Sequence, residues 1–258
     1  MLLAIDVGNT NTVFAVHDGT RLRGEWRCRT SHGRTADEYF VWLDQLIRHT
    51  GVEGQIDDVI VSSVVPQVVF NLRILSDRYF GTRPLVVGKP EVELGIPIRV
   101  DPDTVVGADR LVNTVGAFDR HGGNLIVVDF GTATTFDIVG ADGGYEGGVI
   151  SPGVNLSLKA LSDAAAALPF IDVTKPGSVV GTNTRACMQA GIYWGYIALI
   201  EGLCARIAQE RGEHMKVIGT GGLSSLFDQG TDLFDTVDGD LTIHGLVLIH
   251  ARNMKERQ

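Results

Sequence analysis

Two short apolar runs along this chain each end in an aspartate, and each aspartate opens a turn of glycine, hydroxyls and amides. Leu2-Leu3-Ala4-Ile5-Asp6-Val7-Gly8-Asn9-Thr10-Asn11-Thr12 lies in register with Leu125-Ile126-Val127-Val128-Asp129-Phe130-Gly131-Thr132-Ala133-Thr134-Thr135. Both stretches then return to apolar alternation, as Val13-Phe14-Ala15-Val16 and Phe136-Asp137-Ile138-Val139. The pattern predicts a strand, a tight Asp-x-Gly turn and a second strand at each place, two hairpins from one plan.

Between and after them the period changes. Phe40, Leu43 and Ile47 recur at helical spacing, which predicts a helix over about residues 35–50. The β-branched run from Asp57 to Val64 suits a central parallel strand, and Pro66 opens the helix that follows. A short strand is expected over residues 84–87. Residues 88–106, rich in proline, glycine and acids, read as a loop over a site or an excursion between halves. A helix starts at Gly107-Ala108-Asp109-Arg110. The second half then repeats the opening, with a third strand over residues 145–150 and helices over residues 155–167 and 183–211. A strand at residues 216–218 and helical material over residues 245–255 close it. The duplicated order implies an α/β fold of two lobes sharing a cleft, divided as residues 1–118 and 119–258.

The totals narrow the function classes. A net charge of −9 without any dense Lys/Arg block argues against a sequence-independent grip on nucleic acid. The apolar opening meets Asp6 at once and reads as a strand, not a signal peptide. The longest uncharged helical stretch, residues 186–200, falls short of a bilayer span, so no membrane is expected and the cytoplasm is. Cys28, Cys187 and Cys204 are widely separated, and the seven histidines form no zinc-type cluster.

The turns carry the chemistry. Glycine lets backbone approach a phosphate closely, and the neighbouring N–H, hydroxyl and amide groups can donate to its oxygens. Asp6 and Asp129 would repel a phosphate unless a cation lay between, so carboxylates here imply Mg²⁺ held partly through water. Ordinary turn aspartates satisfying backbone amides remain the plain alternative for either copy, and repetition of the whole pattern weighs against it. Asp109 reads two ways, as an acidic cap on the helix dipole or as a base for a substrate hydroxyl with Arg110 beside it. A helix N-terminus would make it the weaker base, tolerable where the base mainly positions the nucleophile. Gly219-Thr220-Gly221-Gly222 can pass a flat adenine or ribose or simply make a turn after a strand, Gly147-Gly148 to Gly153 can pack closely at the cleft or be a loop, and Gly181-Thr182-Asn183-Thr184 can simply cap the helix behind it. That helix is apolar around much of its circumference, and Gly191 and Gly195, one turn apart, would admit another helix. Core burial or a homodimer follows.

These residues together resemble type III pantothenate kinases, members of the actin, sugar-kinase and heat-shock-chaperone superfamily of duplicated ribonuclease-H-like lobes. The resemblance runs nearly end to end. It rests on Asp6-Val7-Gly8-Asn9-Thr10, Gly107-Ala108-Asp109-Arg110, Asp129-Phe130-Gly131-Thr132-Ala133-Thr134-Thr135, Gly148 to Gly153, Gly181-Thr182-Asn183-Thr184 and residues 242–252. It implies mixed sheets flanked by helices, and phosphorylation of the pantothenate hydroxyl by ATP at the start of coenzyme A synthesis. By matching position, Asp6, Val7, Gly8, Asn9, Thr10, Asn11, Thr12 and Val13 would line the triphosphate site, with Thr132 joining them. Asp109 would accept the proton, and Gly107, Ala108, Asp109 and Arg110 would line the pantothenate pocket. Asp129 would help hold a monovalent cation, K⁺ or NH₄⁺, beside Mg²⁺, which Asp6 would reach through water. Thr184 would touch pantothenate across the interface of a homodimer. Val100 departs from the pattern, since many relatives carry a tyrosine shortly before the Gly-Ala-Asp-Arg stretch. The lost donor is worth ~1 kcal/mol of binding.

Two other functions share parts of this pattern: a kinase of another small hydroxy acid or sugar, and a nucleotide-binding regulatory protein. Arg110 beside Asp109 suits a carboxylate-bearing acceptor better than a sugar. A regulator could dispense with Asp6, Asp109 and Asp129, and all three are present.

Overall fold

The computed structural model describes residues 1–52, 54–165 and 168–255, and these divide into two compact units. In the first, β1 (Leu2–Val7) pairs antiparallel with β2 (Asn11–His17), which pairs with β3 (Leu22–Arg29). On its other side β1 runs parallel to β4 (Asp58–Ser63), followed by β5 (Leu85–Val86), giving the order β3-β2-β1-β4-β5. β1 is apolar on both faces because both are covered. Leu3, Ile5, Val7 and Phe14 pack with Tyr39 and Leu43 of α1 (Ala36–His49) and with Leu72 and Leu75 of α2 (Pro66–Phe80). Leu2, Ala4 and Ile60 face Ala108, Val112 and Val115 of α3 (Ala108–His121).

Local chemistry sets the helix ends. Thr35 and Glu38 form a reciprocal capping box on α1, Pro66 starts α2, and Gly81 ends it at φ 65°.

The second unit repeats this topology. β6 (Leu125–Phe130), β7 (Ala133–Val139) and β8 (Tyr145–Pro152) form the antiparallel half, and β9 (Lys216–Gly221) and β10 (Thr236–Val237) the parallel half, in the order β10-β9-β6-β7-β8. α4 (Val154–Ala164), α5 (Thr184–Arg211) and α6 (Ser224–Asp228) complete the unit. Ile126, Val128, Phe130 and Phe136 pack against Tyr193, Tyr196, Ile197 and Ile200 of α5 and Phe227 of α6. The expected helix over residues 155–167 thus begins one residue earlier; Ala166 and Ala167 lie outside the described residues.

The two hairpins differ by one residue, which the ungapped alignment hid. Asp6 stands opposite Val13, but Asp129 stands opposite Thr135, because the second turn is one residue shorter. Phe14 therefore corresponds to Phe136, not to Asp137, and both phenylalanines are completely buried. Burial of the same face in each sheet selects this offset, since a one-residue slip would turn every side chain to the opposite face.

Two other expectations change. The last helix, α7 (Leu241–Lys255), groups with the first unit, which comprises Met1–Ile96, Asp101–Asp119 and Leu241–Gln258. A division at residues 118/119 would have placed it in the second. The reason is direct helix contact: a Cβ on Gly245 would lie 2.2 Å from the Val112 carbonyl oxygen, and one on Gly116 2.6 Å from that of Leu241. Thr242 Oγ1 also donates to Asn113 Oδ1 at 2.7 Å. Within residues 88–106, Pro97–Val100 belongs to the second unit: Arg99 N–H donates to the Tyr145 carbonyl and Tyr145 N–H to that of Pro97. Of the two readings of that segment, the excursion fits.

Nor is α5 buried all round. Met188, Tyr193, Tyr196, Ile197, Ile200 and Cys204 form its inner stripe, while Gly191, Gly195, Ala198 and Ala205 are exposed. No described helix is long and apolar enough to cross a membrane.

Candidate active site

Asp6 occupies the carboxyl end of β1, paired with Ser62 of β4. In a parallel sheet this end is where ligands collect. Asp6 shares the parity of Leu2 and Ala4, so it leaves the sheet on the α3 face. Ser62 shares that face, and its fully buried Oγ has no hydrogen-bond partner among the described residues.

The turn beyond Asp6 is tightly specified. Gly8 N–H donates to the Asn11 carbonyl at 3.0 Å, which closes the loop over Asn9 and Thr10. Thr30, just past the end of β3, braces it three times. Its N–H donates to the Thr10 carbonyl at 2.9 Å, its Oγ1 to the Gly8 carbonyl at 2.7 Å, and its Oγ1 lies 2.9 Å from Thr12 Oγ1. Sequence reasoning missed Thr30, because nothing in the local pattern twenty residues downstream marks a brace. Thr30→Val keeps the size and removes the hydroxyl. If residues 6–13 bind the triphosphate, it should raise KM for ATP about tenfold, near the cost of two hydrogen bonds. Thr30→Ser should restore it. Steady-state kinetics with varied ATP decide, and equal KM in wild type and Thr30→Val would remove Thr30 from this role.

Gly107 lies against the carboxyl end of β4: a Cβ there would stand 3.6 Å from Val64 Cγ1 and 2.6 Å from Asp109 Oδ1. Val64 N–H in turn donates to the Val7 carbonyl at 3.1 Å. Ala108 is buried in the cluster with Ala4 and Ile60. The start of α3 is thereby seated at the same end of the sheet as Asp6, bringing Gly107, Ala108, Asp109 and Arg110 to it. Asp109 is half-buried, and its Oδ1 accepts from Arg110 N–H at 2.8 Å. Burial pushes its carboxyl above the ordinary range, and this outweighs the opposing pull of the Arg110 N–H and charge. A helix N-terminus by its dipole would make this carboxylate a weaker base; desolvation reverses the sign.

In the second unit Asp129 is the next-to-last residue of β6, flanked across the sheet by Thr135 and Thr220 on the same face. Gly221, at φ 86°, passes directly over it: a Cβ would lie 2.4 Å from Asp129 Oδ1 and 2.7 Å from Phe130 N. Only glycine fits at this position. Gly153 does the same for the second turn, its N–H donating to the Thr132 carbonyl at 3.1 Å, with a Cβ only 2.1 Å from that oxygen. Asn183 caps α5 through Ala186 N–H at 3.0 Å, and Thr184 is exposed at the first turn. The donors near Asp6 and Asp129 are oxygens, which suit hard cations. Among the described residues no group of three or more His, Cys, Asp or Glu side chains could hold a metal ion.

The fold is shared widely. A conserved Baf-family protein from Campylobacter jejuni superposes with a TM-score of 0.61 at 18% identity, covering 98% of this chain and 99% of its own. A ROK-family glucokinase from Streptomyces griseus, in complex with glucose and AMPPNP, gives 0.54 at 10% identity, covering 98% and 99%. These likenesses establish the actin-like, sugar-kinase architecture and nothing finer. Sequence comparison goes further. The family profile of type III pantothenate kinase matches residues 2–206. The type III pantothenate kinases of Cereibacter sphaeroides and Paracoccus denitrificans are each 64% identical over 98% of both chains, and that of Ruegeria sp. is 62% identical over 98% of this chain and 97% of its own. A profile match over most of the chain and this level of identity over nearly its whole length show that the chain belongs to the type III pantothenate kinase family.

Proposed function

We propose that this protein transfers the γ-phosphoryl group of ATP to the primary hydroxyl of pantothenate, forming 4′-phosphopantothenate and ADP as the first step of coenzyme A biosynthesis. The observation that carries this reading is the 64% identity to kinases of that name over 98% of both chains. The backbone and side-chain donors of residues 6–13, with Thr132, hold the triphosphate. Gly107, Ala108 and Arg110 hold the acceptor, Arg110 meeting its carboxylate. Asp109 takes the hydroxyl proton as the oxygen bonds to phosphorus and the bond to the bridging oxygen of ADP breaks. Its burial leaves it a better base than a surface aspartate.

Mg²⁺ bound with ATP would neutralise charge on the phosphate oxygens. Asp6, beside the buried Ser62 hydroxyl, would hold it through water, and Asp129, between two threonines, would serve K⁺ or NH₄⁺. The working form is a homodimer in the cytoplasm. An exposed stripe of Gly191, Gly195 and Ala198 on α5 has open space where a Cβ on either glycine would stand, and Phe170, Val179 and Val180 are exposed in the same unit. In that assembly Thr184 reaches the acceptor of the partner subunit.

An ADP-release assay over pantothenate, a second small hydroxy acid and a sugar, each with and without K⁺, tests this. Turnover should require pantothenate and Mg²⁺ and rise with K⁺. Equal turnover across the acceptors would overturn the substrate assignment, and turnover indifferent to K⁺ would overturn the role of Asp129.

A further inference from the structure

A cavity of about 710 Å³ lies wholly within the first unit and uses none of the residues assigned above. It is lined by Ile96, Val115, Phe118 and Leu248 and edged by Arg252 and Lys255 of α7. Its size falls in the range of small-molecule sites. Asn253, buried in α7, fixes the wall: its Oδ1 accepts from Glu93 N–H at 3.0 Å and its Nδ2 donates to the Glu93 carbonyl at 2.9 Å. Two residues on, Gly95 at φ 74° lies flat against the Arg252 guanidinium, where a Cβ would come within 1.9 Å of Cζ. Arg252 is thereby laid along the cavity edge. Among the described residues neither Arg252 nor Lys255 takes part in any salt bridge. Asp119, the one carboxylate of the lining, is engaged by His244 Nε2 at 2.7 Å.

We propose that this cavity binds a small amphipathic anion, an apolar body seated among Ile96, Val115, Phe118 and Leu248 with a carboxylate or phosphate held by Arg252 and Lys255. The apolar walls offer burial and the two cations a charge-assisted grip; a neutral or purely polar ligand uses only half of the site.

Calorimetric titration of the whole protein, in saturating ATP analogue to block phosphate binding at the active site, tests this with four probes: hexyl phosphate, hexanoate, hexanol and inorganic phosphate. One or both of the first two should bind at least about tenfold more tightly than hexanol or inorganic phosphate, and their ratio tells which anion the site prefers. The Arg252→Gln/Lys255→Gln variant, altered only at exposed side chains, should lose that advantage by about tenfold while Asp109→Asn keeps it. No binding of either amphipathic anion overturns the proposal. So does equal binding of hexanol or of inorganic phosphate, or undiminished binding in the double variant.

Discussion

Asp109→Asn is expected to lower kcat for pantothenate phosphorylation by about 10²- to 10⁴-fold, the usual contribution of a positioned general base. The substitution keeps the shape and the acceptor for Arg110 N–H, so the start of α3 should stay in place. Stability separates a catalytic loss from a folding loss. Burial raises the Asp109 pKa, so the native state holds this proton more tightly than the unfolded chain does. Ionising it costs folding free energy; that cost is absent below the unfolded pKa and complete above the raised folded one. At neutral pH the amide removes a half-buried charge, so Tm should hold or rise. The wild-type pH profile of kcat/KM should fall on its acid side above the ordinary carboxylate range, with that limb missing from the variant's residual activity. A variant within threefold of wild type, or one that melts well below it, would take Asp109 out of the mechanism.

Gly245→Ala should have the largest effect on stability. A helix interior ordinarily gains from this change, by roughly 0.5–1 kcal/mol. Here the new methyl would stand 2.2 Å from the Val112 carbonyl oxygen and 2.9 Å from Val112 Cγ1, against a backbone that cannot turn aside. Moving α7 away would open the cluster in which Ile243, Leu246 and Ile249 meet Val112 and Ala4. Overpacking of this kind costs about 1–3 kcal/mol, enough to outweigh the propensity gain. Urea denaturation should show a lower midpoint at unchanged slope. A more stable Gly245→Ala protein would mean that α7 does not rest on α3 as described.

The hairpins were legible because their signal is local. A period of two, broken by Asp-x-Gly and resumed, leaves few alternatives, and Asp6 and Asp129 fall at the ends of β1 and β6 as that pattern requires. The one-residue difference between the turns was not legible, since Asn11-Thr12 and Thr134-Thr135 align equally well in letters. Only the burial of Phe14 and Phe136 on matching faces distinguishes the offsets. Asp109 was visible as a residue, but the direction of its pKa shift was not. A cap and a base share the same letters, and the sign of its pKa shift depends on how much water surrounding residues exclude. Thr30 and Gly221 act through partners distant in the chain, and no local period marks such contacts.

By itself the sequence determined the alternation that builds two like sheets, the caps that bound the helices, and the three aspartates at strand and helix ends. Tertiary structure alone decided that α7 returns to the first unit and that Pro97–Val100 leaves it. It also decided that Thr30 braces the first turn and that Asp109 is held where its proton binds more tightly. The physical reason is range: dihedral preference and hydrophobic period act over a few neighbouring residues, whereas desolvation and backbone-to-backbone fit depend on what the rest of the chain brings alongside.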